Sequence, residues 1–346
     1  WWKNYNDEVL IRHFQTLYEN NHDLRIAALK TKQAEENIRL AGANQLPQLG
    51  FDGSVSRVFR GPRTQFGSVV IPKYIQNEIF LPLNASYEID IWGQNYLNRK
   101  SAKKQAEIAK QQERAAYIYI TSSFAADYYN LIKMDELERN LLKIIDLQKN
   151  IVSMTEKKYN SGLASINEVL DEKQILVNFE KDLNKLKENK KILNDEAVVL
   201  LGLNTDKAIE LSDYQSISFP QTPETLSTTI IQFRPDLISS EDYVKKSGID
   251  VRVARRDFLP KFILYGNLGF NAYKWNRMFA GETFLANAGI APRWDIFTGG
   301  IKMARYRINK YEYKKAVEIY EKTVLTSIQE VNDALAEAKT TKANLI

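Results

Sequence analysis

The chain has 346 residues, of which 44% are hydrophobic and 26% charged, with a formal net charge of +5 at pH 7. No run of about 18 apolar residues occurs, which excludes transmembrane helices, whereas the alternating strands of a membrane barrel would leave only a weak hydropathy signal. The absence of cysteine excludes disulfides, thiolate metal sites and cysteine nucleophiles. Basic residues are scattered among nearly as many acids, which favours solvated helix faces over nucleic-acid binding.

Two helices are predicted at the start of the chain. Leu10 and Leu17 share one face of a helix from about Asp7 to Asn20, and a second helix runs from Asp23 to about Asn44. Leu46-Pro47 follows, and the periodicity then changes to two residues. The pattern therefore predicts strands after this point.

Two long strands are predicted from Gly50 to Arg60 and from Asn77 to Trp92, joined by a polar loop from Gly61 to Gln76. Strands of this length exceed the usual five or six residues. A second strand pair is predicted at Pro260–Tyr273 and Thr283–Phe297. The alternation implies that one apolar set of each pair faces lipid if the strands lie in a membrane. These residues are Ile79, Leu81, Leu83 and Ala85 in the first pair and Phe284, Ala286, Ala288 and Ile290 in the second.

A very long helix is predicted from Gln94 to about Lys158, because no glycine or proline lies between Gly93 and Gly162. Roughly 65 residues at 1.5 Å each make a rod of about 95 Å. An apolar seam with the spacing of a coiled coil runs along it, interrupted by Asp127 and Glu138. The seam consists of Tyr117, Ile120, Phe124, Leu131, Met134, Leu141 and Ile145.

A tight turn ends this helix, since Asn160 and Gly162 both tolerate a left-handed backbone. Ser165 then fits an N-cap with Glu168 three residues later, which predicts a capping box. A second helix, from Ile166 to about Leu201, would return along the first. The two helices form an antiparallel hairpin.

The order of elements then recurs. Asp236-Leu237 and Leu259-Pro260 repeat Asp23-Leu24 and Leu46-Pro47 at an offset of 213 residues, and Asp295-Ile296-Phe297 repeats Asp90-Ile91-Trp92 at an offset of 205. A register that holds across helix, strand pair and helix indicates an internal duplication. By this repeat the helix that starts near Gly300 has its own turn beyond Ile346, outside this sequence.

Seven segments follow from these patterns. They are 1–49 (helices of the first repeat), 50–92 (first β-hairpin), 93–201 (helical hairpin with its turn at 159–168), 202–233 (a connector containing Phe219–Pro223), 234–259 (helix of the second repeat), 260–297 (second β-hairpin) and 298–346 (start of the second long helix). Four strands cannot close a membrane barrel, which needs at least about eight. The strands therefore form either a small soluble sheet or part of a barrel shared by several copies.

The residues resemble those of the TolC/OprM-type outer-membrane factor family, and more closely its lipoprotein branch, which serves multidrug and metal efflux. The matching motifs are Trp1-Trp2 with Asp7, Asp23-Leu24-Arg25, Leu46-Pro47, Tyr87-Glu88-Ile89-Asp90-Ile91-Trp92-Gly93, Tyr159 with Gly162, Leu200-Leu201-Gly202, Arg234-Pro235-Asp236-Leu237, Phe258-Leu259-Pro260 and Glu330-Val331 with Asp333-Ala334-Leu335. Each motif is weak alone, but their order and spacing are specific over essentially the whole chain.

The resemblance implies an α+β membrane protein in the bacterial outer membrane that extends into the periplasm as a homotrimer. Its twelve-stranded barrel and twelve-helix tunnel would form the passive exit duct of a tripartite efflux pump, energised by an inner-membrane pump through a periplasmic adaptor. The adaptor would dock at the tip residues Ser161, Gly162, Leu163, Ala164 and Ser165, and Glu168 and Asp171 match acids that line the constriction in the family. A type I secretion channel for proteins is the alternative.

The sequence gives little support for an enzymatic function. His13 and His22 lack the spacing of metal ligands on a helix and are interpreted as surface or cap-proximal residues. No nucleotide-binding or hydrolase motif occurs, and no cofactor is expected. Glu88 and Asp90 point to the same side of a strand and are interpreted as lumen-facing acids rather than a catalytic pair. A periplasmic adaptor would carry one hairpin within β repeats, and a cytosolic coiled-coil scaffold would not need the alternating strands.

Overall fold

A computed structural model describes residues 5–65, 69–71, 73–217 and 228–344. Trp1-Trp2, the Phe219–Pro223 part of the connector and Ile346 lie outside the described residues. The chain divides into two compact units. The first comprises Trp1–Lys30, Lys110–Ile230 and Gln329–Ile346, and the second comprises Thr31–Ala109 and Ile231–Ile328.

The helices follow the predicted order and have these bounds: α1 Glu8–Asn20, α2 His22–Ala43, α3 Gln94–Asn160, α4 Ile166–Leu200, α5 Pro235–Arg256 and α6 Ile301–Asn344. The 67 residues of α3 form one uninterrupted helix, as the absence of glycine and proline predicts. No helix within the described ranges contains a stretch long and apolar enough to cross a membrane.

The core of the first unit lies where α1, α3 and α4 meet. Its buried side chains are Leu10, Phe14, Leu17, Leu24, Ile120, Phe124, Ala125, Tyr128, Leu131, Ile132, Ala197 and Leu201. Four residues of the predicted seam, Ile120, Phe124, Leu131 and Ile145, are buried, but Tyr117 is 36% exposed and its ring lies 5.9 Å from that of Tyr18. Met134 and Leu141 are half-buried. The seam is therefore confirmed from Ile120 to Ile145 and wrong at Tyr117, which is exposed and packs against the ring of Tyr18 on α1.

The polar breaks in the seam have local partners. Lys190 on α4 lies 2.6 Å from Asp135 and 2.8 Å from Glu138. These ion pairs join α3 to α4 where the apolar seam is interrupted. The hydrogen bond from Lys190 lowers the pKa of Asp135. At Asp127, burial, together with the nearby charge of Glu196, raises the pKa of the carboxyl group.

The second unit contains a five-stranded antiparallel sheet. Its strands are β1 (Gln48–Phe51), β2 (Ser54–Arg60), β5 (Tyr74–Ile89), β6 (Lys261–Ala272) and β7 (Phe284–Arg293), and a separate small hairpin contains β3 (Arg63–Gln65) and β4 (Val69–Ile71). The order is β1-β5-β6-β7, with β2 also paired to β5. The two predicted β-hairpins therefore lie side by side, joined through β5 and β6.

The strand boundaries differ from the predicted ones. β5 begins at Tyr74 rather than Asn77, and β3 and β4 lie within the segment predicted as a polar loop. The first strand is divided at Asp52-Gly53, although β1 and β2 pair with β5 in one continuous register. Pro82 lies opposite this break, and proline has no N–H to donate to the ladder.

The helices that precede the two strand pairs support the predicted duplication. Both α2 and α5 contain 22 residues, and their first and last residues are each 213 positions apart. Within the second unit, polar side chains join α5 to the antiparallel start of α3. Gln94 Nε2 donates to Asp257 at 2.6 Å, Ser101 Oγ to Asp250 at 2.5 Å and Lys104 Nζ to Asp242 at 2.9 Å. These spaced pairs set the alignment of the two helices.

Candidate docking turn and apolar sheet face

The turn between α3 and α4 is a Schellman motif. The N–H of Leu163 donates to the carbonyl of Lys158 at 2.8 Å, and that of Gly162 donates to Tyr159 at 2.9 Å. Gly162 has a φ of +73°, the left-handed conformation that this motif requires. Asn160, the other residue expected to tolerate this backbone, is instead the last residue of the helix.

The predicted capping box begins α4. Ser165 Oγ accepts a hydrogen bond from the N–H of Glu168 at 3.3 Å, and the Glu168 carboxylate accepts from the N–H of Ser165 at 2.9 Å. The bond from the Ser165 backbone lowers the pKa of Glu168, so this acid stays charged at neutral pH. Asp171 lies three residues later on the same side of the helix and is exposed.

The turn exposes a small apolar surface. Leu163 is 78% exposed, and Ile166 and Leu170 on α4 are 49% and 56% exposed. Neither Ile166 nor Leu170 was among the predicted docking residues 161–165, although their spacing of four residues places them on one helix face. Ala164 is half-buried, and Ser161 and Ser165 are exposed. We call Leu163, Ile166 and Leu170 the tip patch.

The two helices are tied together close to the turn. Gln148 Nε2 on α3 donates to the Glu172 carboxylate at 2.6 Å and to its carbonyl at 3.2 Å. Lys173 and Glu156 form an ion pair at 2.7 Å. Val169 is buried between the helices. The tip patch is thus carried by a rigid helix pair rather than by a mobile loop.

The apolar face of the sheet is the second candidate surface. In antiparallel pairs, residues directly opposite each other project to the same side. The register pairs Leu81 with Phe270, Leu83 with Leu268 and Ala85 with Gly266, and it pairs Phe270, Leu268 and Gly266 in turn with Phe284, Ala286 and Ala288. All eight residues predicted to face lipid therefore share one face. They are Ile79, Leu81, Leu83, Ala85, Phe284, Ala286, Ala288 and Ile290.

Exposure along this face is uneven. Leu83, Phe284 and Ile290 are 46%, 51% and 57% exposed, and Ala286 and Ala288 are also exposed. Ile79 is only 1% exposed and lies between its partners Val55 and Ala272. Most of the face is thus open within a single chain.

The opposite face of the sheet is polar at its centre. Asn84, Asn267 and Asn287 lie side by side across β5, β6 and β7, and Asn84 Nδ2 donates to Asp52 at 2.9 Å. Tyr265 lies opposite Gly289, where a Cβ atom would come within 2.7 Å of the Tyr265 hydroxyl. Glycine at this position leaves room for the tyrosine ring.

The two acids Glu88 and Asp90 do not act as a pair. Lys261 Nζ donates to both carboxylate oxygens of Glu88, at 3.1 and 3.2 Å. Asp90 lies past the end of β5, and its carboxylate accepts from the N–H groups of Asn95 and Tyr96 at 3.0 and 2.8 Å, at the start of α3. The prediction that Asp90 is a strand residue beside Glu88 is wrong, because the exposed N–H groups of the helix terminus bind it. The lumen-facing orientation of the two acids stays a prediction.

The histidines occupy separate structural positions. His13 is half-buried, with Nε2 2.8 Å from the carbonyl oxygen of Glu210 and its ring edge-on to Phe124. His22 is exposed as the first residue of α2, as expected for a cap-proximal residue. His13 differs from the expectation of a surface residue, because α1 packs its ring against the core.

Two surfaces therefore stand out, an apolar face on a sheet with long antiparallel strands and an apolar turn between two long helices. Comparison with known proteins explains this combination. The family model described as outer membrane efflux protein matches residues 14–201 and 226–346. The chain belongs to this family.

Related sequences and solved structures match this chain over nearly its full length. The pyoverdine export outer membrane protein OpmQ of Pseudomonas putida is 24% identical over 97% of this chain and 72% of its own length. The toluene efflux pump outer membrane protein TtgC of Pseudomonas putida is 28% identical over 100% and 71%. The crystal structure of the Campylobacter jejuni CmeC outer membrane channel superposes with a TM-score of 0.89 at 26% identity, over 98% of this chain and 72% of that one. The fold is that of outer-membrane channels, and the protein is an outer-membrane efflux component.

Proposed function

We propose that three copies of this chain form the exit duct of a tripartite efflux pump, through which small molecules leave the periplasm. Residues 50–92 and 260–297 form the barrel, residues 93–201 form tunnel wall with the tip at 159–168, and 202–233 form an equatorial connector. An inner-membrane pump supplies the energy through a periplasmic adaptor that docks at the tip.

The observation that carries this proposal is the apolar face of a sheet with unpaired edges. Among the described strands, β7 pairs only with β6, and β1 and β2 pair only with β5. An open edge and an exposed apolar face are both unfavourable in water, so each favours a further partner. Neighbouring copies hydrogen-bond to the open edge strands, and outer-membrane lipid covers the apolar face.

The tip patch supports the docking role. The Leu163 side chain is 78% exposed and so is not part of a hydrophobic core. The hydrogen bonds of the turn are formed by backbone groups and do not involve this side chain. An exposed leucine beside small residues can enter a pocket on a partner and allows its backbone to approach closely. The adaptor would therefore contact Ser161, Gly162, Leu163, Ala164 and Ser165, with Ile166 and Leu170 alongside.

We place Glu168 and Asp171 at the constriction of the tunnel, as anchored negative charges. The Ser165 backbone holds the Glu168 carboxylate in one position, which would keep its charge directed to one side of α4. The relatives are named for export of pyoverdine and for efflux of toluene. We therefore propose small molecules as the substrate class, and no particular compound.

The experiment is an efflux assay in cells that carry the native pump and adaptor. Leu163→Asp should abolish efflux, because a charge replaces the apolar anchor, whereas Leu163→Met, which keeps an apolar side chain, should retain it. Gly162→Trp should also abolish efflux by blocking close approach. Membrane fractionation and cross-linking must show that the variants remain trimeric in the outer membrane. Full efflux by Leu163→Asp, or its absence from the membrane, would overturn the docking role.

The duct itself is proposed to be passive and to catalyse no reaction. Purified protein in liposomes should let a small solute equilibrate, and added ATP should change neither the rate nor the final distribution. ATP turnover by the chain, or accumulation of solute against a gradient without a pump, would contradict this part of the proposal.

A further inference from the structure

Arg57 is the single charged side chain on the apolar face of the five-stranded sheet. It lies on β2 between Val55 and Phe59, which project to the same side, and directly opposite Asn77 on β5. Asn77 is in turn the single amide side chain on that face. The Arg57 side chain is exposed and forms no hydrogen bond or ion pair with any described residue. A cation and an amide thus stand together on an otherwise apolar surface.

The position of this pair along the strands matches a membrane boundary. The unbroken apolar run on this face of β5 extends from Ile79 to Ile89, about ten steps of roughly 3.3 Å. At a strand tilt of about 40°, this length corresponds to a height of roughly 25 Å, the height of the apolar band of outer-membrane barrels. Arg57 and Asn77 follow immediately beyond this run, and Phe59 and Ile75 form one further apolar pair on the same face towards the hairpin connection.

The pair lies at the end of the sheet where the β-hairpins turn. The connections from β2 to β5 and from β6 to β7 are at this end, and α3 follows β5 at the other end. In the proposed placement the hairpin end faces out of the cell. Aromatic side chains mark the same end, since Phe279 and Phe284 lie edge-on to Phe270 with centroids 5.2 and 5.8 Å away. Trp275, 60% exposed, lies in the same hairpin connection, as expected at a membrane interface.

The chemistry of the pair fits a phosphate. A guanidinium group presents N–H donors in a planar fork that matches phosphate oxygens, and the Asn77 amide adds a donor beside it. An arginine within the hydrocarbon would be unfavourable, whereas at the boundary it meets the headgroups. We propose that Arg57 and Asn77 bind a phosphate group of a lipid A molecule in the outer leaflet. The proposal rests on the proposed function, because it requires the sheet to lie in the outer membrane.

The test measures lipid A binding to the intact purified protein by native mass spectrometry. Arg57→Gln should bind lipid A about tenfold more weakly than the wild type, the change expected for loss of one charge-assisted contact. Arg60→Gln is the matched control, because Arg60 lies on the same strand but projects to the other face. It should bind as the wild type does. Lipid A without its phosphates should bind equally weakly to all three proteins.

Four results would overturn the proposal. Equal binding by Arg57→Gln and Arg60→Gln would remove the role of the apolar face. An equal loss of phosphatidylglycerol binding would show that the site accepts any lipid phosphate rather than lipid A. Dissociation of Arg57→Gln trimers in lipid-free detergent would assign Arg57 to a contact between copies. Recovery of the wild type outside the outer membrane would overturn the proposed function as well, so the two failures are distinguishable.

Discussion

The hydroxyl group of Tyr128 on α3 donates a hydrogen bond to the carboxylate of Asp7, 3.1 Å away and 121 residues earlier in the chain. Ser212 completes the arrangement, since its Oγ donates to Asp7 at 2.8 Å and its N–H donates to the Tyr128 oxygen at 3.1 Å. Asp7 also caps α1 by accepting from the N–H of Leu10. One buried carboxylate therefore joins α1, α3 and the connector.

Tyr128→Phe should lower the free energy of unfolding by about 1 to 3 kcal/mol, because it removes one of the donors to the buried Asp7 carboxylate and leaves the Ser212 N–H without its acceptor. Urea or thermal denaturation monitored by circular dichroism measures the change. Tyr119→Phe is the control, since the Tyr119 side chain is 73% exposed. Equal stability of the two variants would show that the buried network contributes nothing.

Alkaline pH should destabilise the folded protein through the same tyrosine. Burial raises the pKa of Tyr128 to about 12, from an ordinary value near 10. The folded state thus retains the proton more strongly than the unfolded state, so this contribution is fully present below about pH 10 and is lost as the pH rises towards 12. Unfolding free energies measured across this range should fall more steeply for the wild type than for Tyr128→Phe. Parallel profiles would contradict the assignment.

Gly202→Ala should destabilise the protein more than Gly162→Ala. Both glycines have a φ near +70°, so alanine is strained at either position. At Gly202 a Cβ atom would also lie 2.5 Å from the carbonyl oxygen of Asn20, whereas at Gly162 nothing lies within 4 Å. Strain alone costs about 1 kcal/mol, and the backbone clash should at least double the loss in unfolding free energy. Equal losses would show that α1 moves freely away from Gly202.

Leu83→Arg and Asn84→Arg should have opposite outcomes for assembly. The two residues are neighbours on β5 and project to opposite faces of the sheet, and Asn84 already lies beside the carboxylate of Asp52. Arginine on a lipid face costs roughly 2 to 4 kcal/mol at the middle of the bilayer. Leu83→Arg should therefore prevent assembly of the proposed trimer, as measured by gel electrophoresis of unheated samples, and Asn84→Arg should permit it. Equal tolerance of both would contradict the lipid-facing assignment.

The sequence by itself determined the features that depend on neighbouring residues. The uninterrupted α3, the left-handed Gly162 and the capping box between Ser165 and Glu168 all involve groups within about five positions of one another. Their hydrogen bonds are the same in any fold that contains the turn. The internal duplication could also be predicted from the sequence, because it requires only that two segments of the chain be compared with each other.

The tertiary structure decided the features that depend on distant residues. Asp90 binds the start of α3 rather than continuing β5, Pro82 lies opposite the break between β1 and β2, and Arg57 lies opposite Asn77 in the β2–β5 pair. Alternation shows that a residue shares a face with its second neighbour, but it does not show which strand lies beside it or at what register. The neighbouring strand and the register are decided by pairing between residues tens to hundreds of positions apart. This pairing places Arg57, the single charged residue of the apolar face, opposite Asn77.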